Sequence, residues 1–311
     1  MRVDVGKLVL ANPVLTASGT FGYGDECGEL VDPNLLGGII TKSLSLRPRA
    51  GNPPGRIVET PSGMLNSIGL ANIGVERFVK EKLPFLRTLR TKVIANIAAE
   101  SVDEYCDVLS VLESEEGVDA YEINISCPNV KEGGLSFGTS REMTGQITRR
   151  LRALTGKTLI IKLTPNVTHC SEFARVAADE GADAVSVINT LIGMSIDAEQ
   201  RRPRLSTVTG GLSGPAIKPV ALAKVYEVAQ AVSIPVIGVG GIMTAVDAVE
   251  FLLAGASAVQ VGTASFIDPA TGTKMVGGLE EYCQSHRIRA VRSLTGALKA
   301  EKGLSVVHSW L

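Results

Sequence analysis

Eight short apolar runs, each followed by a helical pattern or a long polar stretch, constrain this chain more than any other feature. They are Pro13–Ala17, Gly38–Thr41, Lys92–Ile97, the run that opens at Tyr121, Thr158–Leu163, Ala184–Ile188, Pro235–Val239 and Ala258–Val261. Strands this short and this apolar are buried on both faces by helices, as in parallel sheets. Helical periodicity fills the intervals at Val75–Leu89 (interrupted at Pro84), Ser101 to about Leu112, Arg141–Leu154, Ser171–Glu180, Ile217–Val232 and Ala245–Leu253. Ser101 with Glu104 three residues on reads as a capping box. Eight such units predict an α/β fold, a TIM (β/α)8 barrel, more naturally than an open sheet. Val3–Val5 and Leu8–Leu10 around Gly6-Lys7 predict a hairpin ahead of it. Leu46–Pro61 and the arginine-bearing stretch Gly193–Gly214, with Arg201, Arg202 and Arg204, are expected as irregular loops inserted at the C-terminal rim. One domain over residues 1–311 accounts for the whole length.

Composition removes several functions. A net charge of −1 offers no basic face to nucleic acid. No apolar run approaches the roughly 20 residues of a membrane helix, and Met1–Lys7 lacks a signal core, so a cytoplasmic protein without membrane contact is expected. The five cysteines, Cys27, Cys106, Cys127, Cys170 and Cys283, are odd in number and widely spaced. Neither a disulfide framework nor a metal site fits them. The histidines, His169, His286 and His308, lie outside the predicted rim, and no His/Asp/Glu cluster suggests a metal.

The chemistry-bearing residues fall at strand ends. Ser18, Lys42, Asn96, Asn124, Lys162, Asn189, Gly240 and Gly262 all lie at or just past the C-terminal ends of predicted strands, the rim where barrels of this kind build their sites. Taken singly, each has a bland reading as a turn former or a solvated charge; their convergence on one rim favours function. The last two strands run into Gly240-Gly241 and Gly262-Thr263, a backbone cradle suited to phosphate. In Tyr121–Asn129, the thiol of Cys127 sits between the amides of Asn124 and Asn129 and opens into a loop with Gly133, Gly134 and Gly138. The amides can bind a flat polar substrate, the thiol can move a proton, and the loop can act as a cover. Cys127 also reads as a small buried hydrophobe. A phosphate cradle beside a lysine favours flavin mononucleotide (FMN), although the motif alone suits other phosphate ligands.

The motifs N-I-S-C-P-N-V, T-K-S, L-N-S-I-G-L, I-I-K-L-T-P, V-I-N-T, G-G-L-S-G-P-A-I-K-P, I-G-V-G-G-I and V-Q-V-G-T-A, in this order along essentially the whole chain, resemble the soluble class 1 dihydroorotate dehydrogenases. The continuation K-E-G-G-L-S-F-G and the arginine-bearing loop resemble class 1B, whose catalytic subunit works with an iron–sulfur flavoprotein. The resemblance implies one FMN per chain and oxidation of dihydroorotate to orotate in pyrimidine (UMP) synthesis. It implies FAD and a 2Fe-2S cluster only on a partner subunit, which passes electrons to NAD+, and a homodimer core within a heterotetramer. By resemblance, Cys127 takes the C5 proton while hydride leaves C6. Lys42, Asn66, Asn124, Asn129, Asn189 and Thr190, with the backbone of Ile68, Gly69 and Leu70, would hold the substrate. Ser18, Lys42, Ser43, Asn96, Asn124, Lys162 and Ile188 would meet the flavin, and Gly214, Gly240, Gly241, Gly262 and Thr263 its ribityl phosphate. The alternatives are a fumarate-linked class 1A enzyme, a dihydropyrimidine-reducing or tRNA-reducing flavoenzyme, and a non-redox phosphate-binding barrel. Lys162 is expected as a rim lysine with little part in core packing.

Overall fold

The computed structural model describes residues 1–26, 30–126 and 137–299. The chain opens with an antiparallel hairpin, β1 (Val3–Val5) and β2 (Leu8–Leu10). Alternation buries Val3, Val5, Leu8 and Leu10 and turns Asp4 and Val9 to solvent. Gly6 makes the turn at φ +59°, where a Cβ would come 2.6 Å from the Cβ of Asp183. The Lys7 N–H donates to Thr158 Oγ1 at 3.1 Å and its ammonium to Gly156 O at 2.8 Å. These bonds dock the hairpin at the N-terminal end of a barrel strand.

The strands that follow are β3 (Val14–Thr16), β4 (Gly38–Ile40), β5 (Ile57–Thr60), β6 (Gly63–Asn66), β7 (Lys92–Ile97), β8 (Ala120–Asn124), β9 (Thr158–Leu163) and β10 (Ala184–Val187). Then come β11 (Leu191–Gly193), β12 (Ile196–Asp197), β13 (Arg202–Pro203), β14 (Gly210–Ser213), β15 (Val236–Val239) and β16 (Ala258–Val261). Eight of them close a barrel in the order β3-β4-β7-β8-β9-β10-β15-β16, with β16 returning to β3. Every pairing in the barrel is parallel. The eight sequence-expected strands are these eight.

The helices are α1 (Val75–Glu81), α2 (Leu83–Leu86), α3 (Val102–Glu113), α4 (Arg141–Arg152), α5 (Cys170–Asp179), α6 (Lys218–Ala229), α7 (Ala245–Leu253), α8 (Ala264–Ile267) and α9 (Thr271–Ser285). Pro84 falls at the second position of α2 and separates it from α1. The first strand is followed, among the described residues, only by a 3-10 turn at Pro33–Leu35. Ser101 caps α3 by accepting from Glu104 N, but the Glu104 carboxylate accepts from Glu100 N instead of returning to Ser101. The reciprocal box is found at α7, between Thr244 and Asp247. Among the described residues no helix is long and apolar enough to cross a membrane.

The two stretches expected to be irregular are not. β5 lies in the first and β12, β13 and β14 in the second, and β11-β14-β6-β5 form a four-stranded antiparallel sheet over the rim. Three glycines and low apolar content disguise these strands. The glycines answer to packing: a Cβ on Gly210 would come 2.6 Å from Asn66 O across the sheet.

Leu10 is fully buried in the main core where the hairpin meets the barrel. Leu10→Ala should lower unfolding stability by about 2–5 kcal/mol while leaving ligand binding at the opposite mouth intact. Denaturant unfolding together with a ligand titration checks both halves.

Candidate active site

Three doubly buried strands carry a polar residue at their centre, in Y-E-I, V-S-V and V-Q-V, and the closed barrel brings these together. Glu122 on β8, Ser186 on β10 and Gln260 on β16 are all buried, Glu122 with 0% exposure. They come from alternate strands, the pattern in which barrel interiors are layered. Ser186 Oγ donates to Glu122 Oε2 at 2.8 Å and Gln260 Nε2 to the same oxygen at 2.5 Å. Asn96 Nδ2 donates to Oε1 at 2.7 Å, and Lys162 Nζ lies 3.4 Å from that oxygen. Lys162 Nζ also reaches Gln260 Oε1 at 3.3 Å. The network runs on to the rim, where Ser43 Oγ donates to Asn96 Oδ1 at 2.6 Å and stands 3.4 Å from Ser18 Oγ. Lys162 is therefore no solvated rim lysine: it is 5% exposed and paired inside the barrel, which corrects the expectation that it takes little part in the core. Glu122, Ser186 and Gln260 escaped the sequence reading. The signal was present, because a charged side chain in a strand covered on both faces must find a partner.

Around this floor stand glycines in conformations that L side chains rarely adopt. Gly214, Gly240 and Gly241 have φ of +94°, +132° and +72°. A Cβ on Gly241 would come 2.8 Å from both Gly214 O and Lys218 N, so the turn after β15 packs against the start of α6 as bare backbone. Thr263 opens α8 and donates from Oγ1 to Ser213 Oγ at 2.9 Å, closing the ring from β16 to β14. Lys218 beside it is committed elsewhere, to Asp247 at 2.5 Å and Glu250 at 2.9 Å. The cradle is thus made of backbone, which suits the phosphate end of a flavin nucleotide. Ile188, buried after β10, is held by its N–H to Val239 O at 3.0 Å.

The expected substrate residues meet at the ends of β8 and β10. Asn189 Nδ2 donates to Asn124 Oδ1 at 3.1 Å, and Ser126 N donates to the same oxygen at 3.2 Å. The carbonyl of the Asn124 amide is therefore occupied, and its N–H groups have no partner among the described residues. Asn189 Oδ1 accepts from Thr190 N at 2.8 Å. Asn66, at the end of β6, reaches Gly211 O at 3.4 Å, and Gly211 packs against the Thr190 side chain, so the accessory sheet carries Asn66 to Thr190. Leu70 is left-handed at φ +55°, and a Cβ on Gly69 would come 2.7 Å from Asn52 N. The Ile68–Leu70 turn is clasped there by Asn52, whose N–H donates to Ile68 O at 3.0 Å and whose Nδ2 donates to Ser67 O at 2.8 Å. The Ser67 and Ser126 hydroxyls are buried with no hydrogen-bond partner among the described residues, which fits a site built for a polar ligand.

Lys42 is half-buried and forms no ion pair among the described residues. Burial pushes its ammonium below the ordinary lysine value, the positive charge of Arg56 pushes the same way, and Glu26 opposes both. Arg56, from the stretch expected to be a loop, lies just before β5, and only the fold brings it near Lys42. Cys127 and Asn129 lie outside the described residues. A cleft of about 630 Å³ between α4 and α5, lined by Arg141, Arg149 and Glu180, belongs to the outer helical layer and holds none of these side chains. Its arginines already pair with Glu172 and Glu180.

A family model described as dihydroorotate dehydrogenase matches residues 1–282. The chain is 56% identical over 299 residues to the protein named dihydroorotate dehydrogenase B (NAD(+)), catalytic subunit, of Trichlorobacter lovleyi, covering 96% of this chain and 98% of that one. It is 51% identical to the protein of the same name from Bacteroides thetaiotaomicron, with 96% and 99% covered. The crystal structure of a dihydroorotate dehydrogenase from Eimeria tenella, in complex with ferulenol, superposes with a TM-score of 0.80 over 95% of this chain and 88% of that one. At 22% identity that likeness speaks for the fold.

Removing one partner of a buried ion pair strands the other. Lys162→Met should therefore destabilise the cofactor-free protein by roughly 3–5 kcal/mol, read as a lowered midpoint in chemical denaturation. A rim lysine would change it by less than about 0.5 kcal/mol.

Proposed function

Because this chain belongs to the dihydroorotate dehydrogenase family, we propose that its rim oxidises dihydroorotate to orotate for pyrimidine synthesis, as the catalytic subunit of an NAD+-linked class 1B enzyme. The observation that carries this reading is the meeting, at one mouth of the barrel, of a backbone phosphate cradle, a buried lysine and a ring of amides. The named relatives support the class.

FMN supplies the hydride acceptor when bound. Ser18, Ser43, Asn96, Lys162 and Ile188 are the side held toward its ring, and Gly214, Gly240, Gly241, Gly262 and Thr263 toward its phosphate. Lys42, next to Arg56, offers a desolvated cation to the substrate carboxylate. Asn124 offers N–H donors to the ring carbonyls, with Asn66, Asn189 and Thr190 completing the polar wall and Asn129 joining them. Cys127 is the base: proton abstraction beside a carbonyl needs a group within hydrogen-bond reach. A thiol of ordinary pKa, about 8.5, is only a few per cent thiolate near neutrality.

Electrons leave through a partner. We assign that role to an iron–sulfur flavoprotein subunit carrying FAD and a 2Fe-2S cluster, arranged as a heterotetramer on a homodimer of this chain. Exposed Ile57, Ile192, Ile196 and Val208 on the accessory strands and their connections give the dimer an apolar face.

Cys127→Ser should bind FMN and orotate yet slow flavin reduction by dihydroorotate about 10²–10⁴-fold at neutral pH, with partial recovery as pH rises. Stopped-flow reduction per folded molecule measures it; a rate within a few-fold of wild type would remove the thiol from the mechanism. Lys42 yields a pH dependence. Its charged form is disfavoured in the empty site, so an anionic ligand binds fully at low pH and loses affinity as pH rises through a value below lysine's 10.5. Orotate titrations across alkaline pH should show this, and Lys42→Met should flatten it. Purified alone, the chain should reduce neither NAD+ nor fumarate rapidly with dihydroorotate. Fast NAD+ reduction would dispense with the partner, and fast fumarate turnover would move the enzyme to class 1A.

A further inference from the structure

Glu122 has no part in the reading above, yet it is the most completely satisfied charged group in the barrel. Asn96 and Lys162 approach one of its oxygens, and Ser186 and Gln260 approach the other. All four are placed to donate to it, so its acceptor positions are filled. Barrel interiors are ordinarily filled by branched apolar side chains, and an isoleucine here would take the acceptor from Asn96 Nδ2, Ser186 Oγ and Gln260 Nε2 and leave Lys162 only Gln260 Oε1.

The carboxylate acts in two directions. Toward Lys162 it is the counter-charge, 3.4 Å away with both side chains sealed from solvent. Toward the rim it fixes the Asn96 amide, whose Nδ2 donates to it, so that Asn96 Oδ1 faces Ser43 and accepts a hydrogen bond from the Ser43 hydroxyl at 2.6 Å. Ser43 is thereby left to present lone pairs to whatever it meets.

We infer that Glu122 is a positioning residue for the cofactor. It holds the Lys162 ammonium and the Asn96–Ser43 chain in place, and it subtracts from the positive potential that Lys162 offers at the rim, so the reduction potential of the bound flavin is set by the pair. This rests on the proposed placement of FMN against Lys162. Reduction adds negative charge to the flavin, and in a site shut off from water an anion beneath it opposes that step.

The test is the midpoint potential of the bound flavin, measured by dye-coupled reduction, in wild type, Glu122→Gln, Glu122→Asp and Lys162→Ala, each reconstituted with FMN. Glu122→Gln should shift the reduction equilibrium toward reduced flavin by about tenfold or more, ~30 mV for a two-electron couple. Glu122→Asp keeps the charge and should stay within about threefold of wild type, some 15 mV. Lys162→Ala should move the potential the other way. An unchanged or more negative potential in Glu122→Gln, with Lys162→Ala still lowered, overturns the inference and leaves the FMN placement standing. An unchanged potential in Lys162→Ala overturns that placement, and the inference with it. Should Glu122→Gln fail to fold, Glu122→Gln/Lys162→Gln is purified in its place, the two charges leaving together. Recovery of a folded, FMN-binding barrel supports the pairing, whereas an insoluble double variant beside a soluble Lys162→Gln overturns it.

Discussion

Everything at the active rim depends on the pairing of the last barrel strand with the first. β16 meets β3 in the register Val259 to Val14, Gln260 to Leu15 and Val261 to Thr16. This parallel pairing spans nearly the whole chain, and nothing local favours it. Once made, it removes both sheet edges and carries Gln260 across the axis to Glu122, 138 residues away. A carboxylate at that depth is tolerable only when its oxygens are filled, and closure is what fills them. The polar floor and the closed barrel are therefore coupled: without closure the charge is exposed to loss of partners, and without the network the centre of the barrel holds an unpaired ion.

The barrel was legible in the sequence and the rim strands were not, for one physical reason. A strand buried on both faces must be apolar throughout, so the eight barrel strands announce themselves by composition alone. A strand lying over a rim needs no such composition. Gly193, Gly210 and Gly211 have too little side chain to mark a strand, and a Cβ on them would meet the Leu65 side chain, Asn66 O and the Thr190 side chain respectively. Asn66 could thus be named from a resembling motif, while the means of its delivery, antiparallel pairing of β6 with β14, could not.

Strand-end position located the chemistry but not its depth. Asn124 and Lys162 are register neighbours on β8 and β9. Asn124 lies half-exposed at the last residue of its strand, whereas Lys162, one residue before the end of β9, is directed into the barrel. The two are level in the barrel and differ in the partners they find: Lys162 reaches Glu122 and Gln260, whereas Asn124 meets Asn189 and Ser126. Counting residues to a strand end places both at the rim and does not show those partners. Glu122 makes the same point. Two residues before Asn124 on the same strand, it shares that inward direction but lies one layer deeper, where only partners from other strands decide whether a charge is an error or a component.

The site consequently holds two lysines used in opposite ways. Lys162 is buried and balanced by a carboxylate at 3.4 Å, which offsets its field. Lys42 is half-buried with no such partner among the described residues; desolvation and the neighbouring Arg56 both act against its charge. A cation that the folded protein disfavours is one that an arriving anion relieves, since the ligand supplies the counter-charge the protein withholds. Placing the balanced lysine beneath and the unbalanced one at the mouth separates two demands. A group lodged against Lys162 would meet a balanced charge, while an anion arriving at Lys42 would gain affinity by supplying the missing counter-charge. The backbone cradle extends this division, because it offers an anion fixed dipoles and leaves Lys218, tied to Asp247 and Glu250, out of the balance.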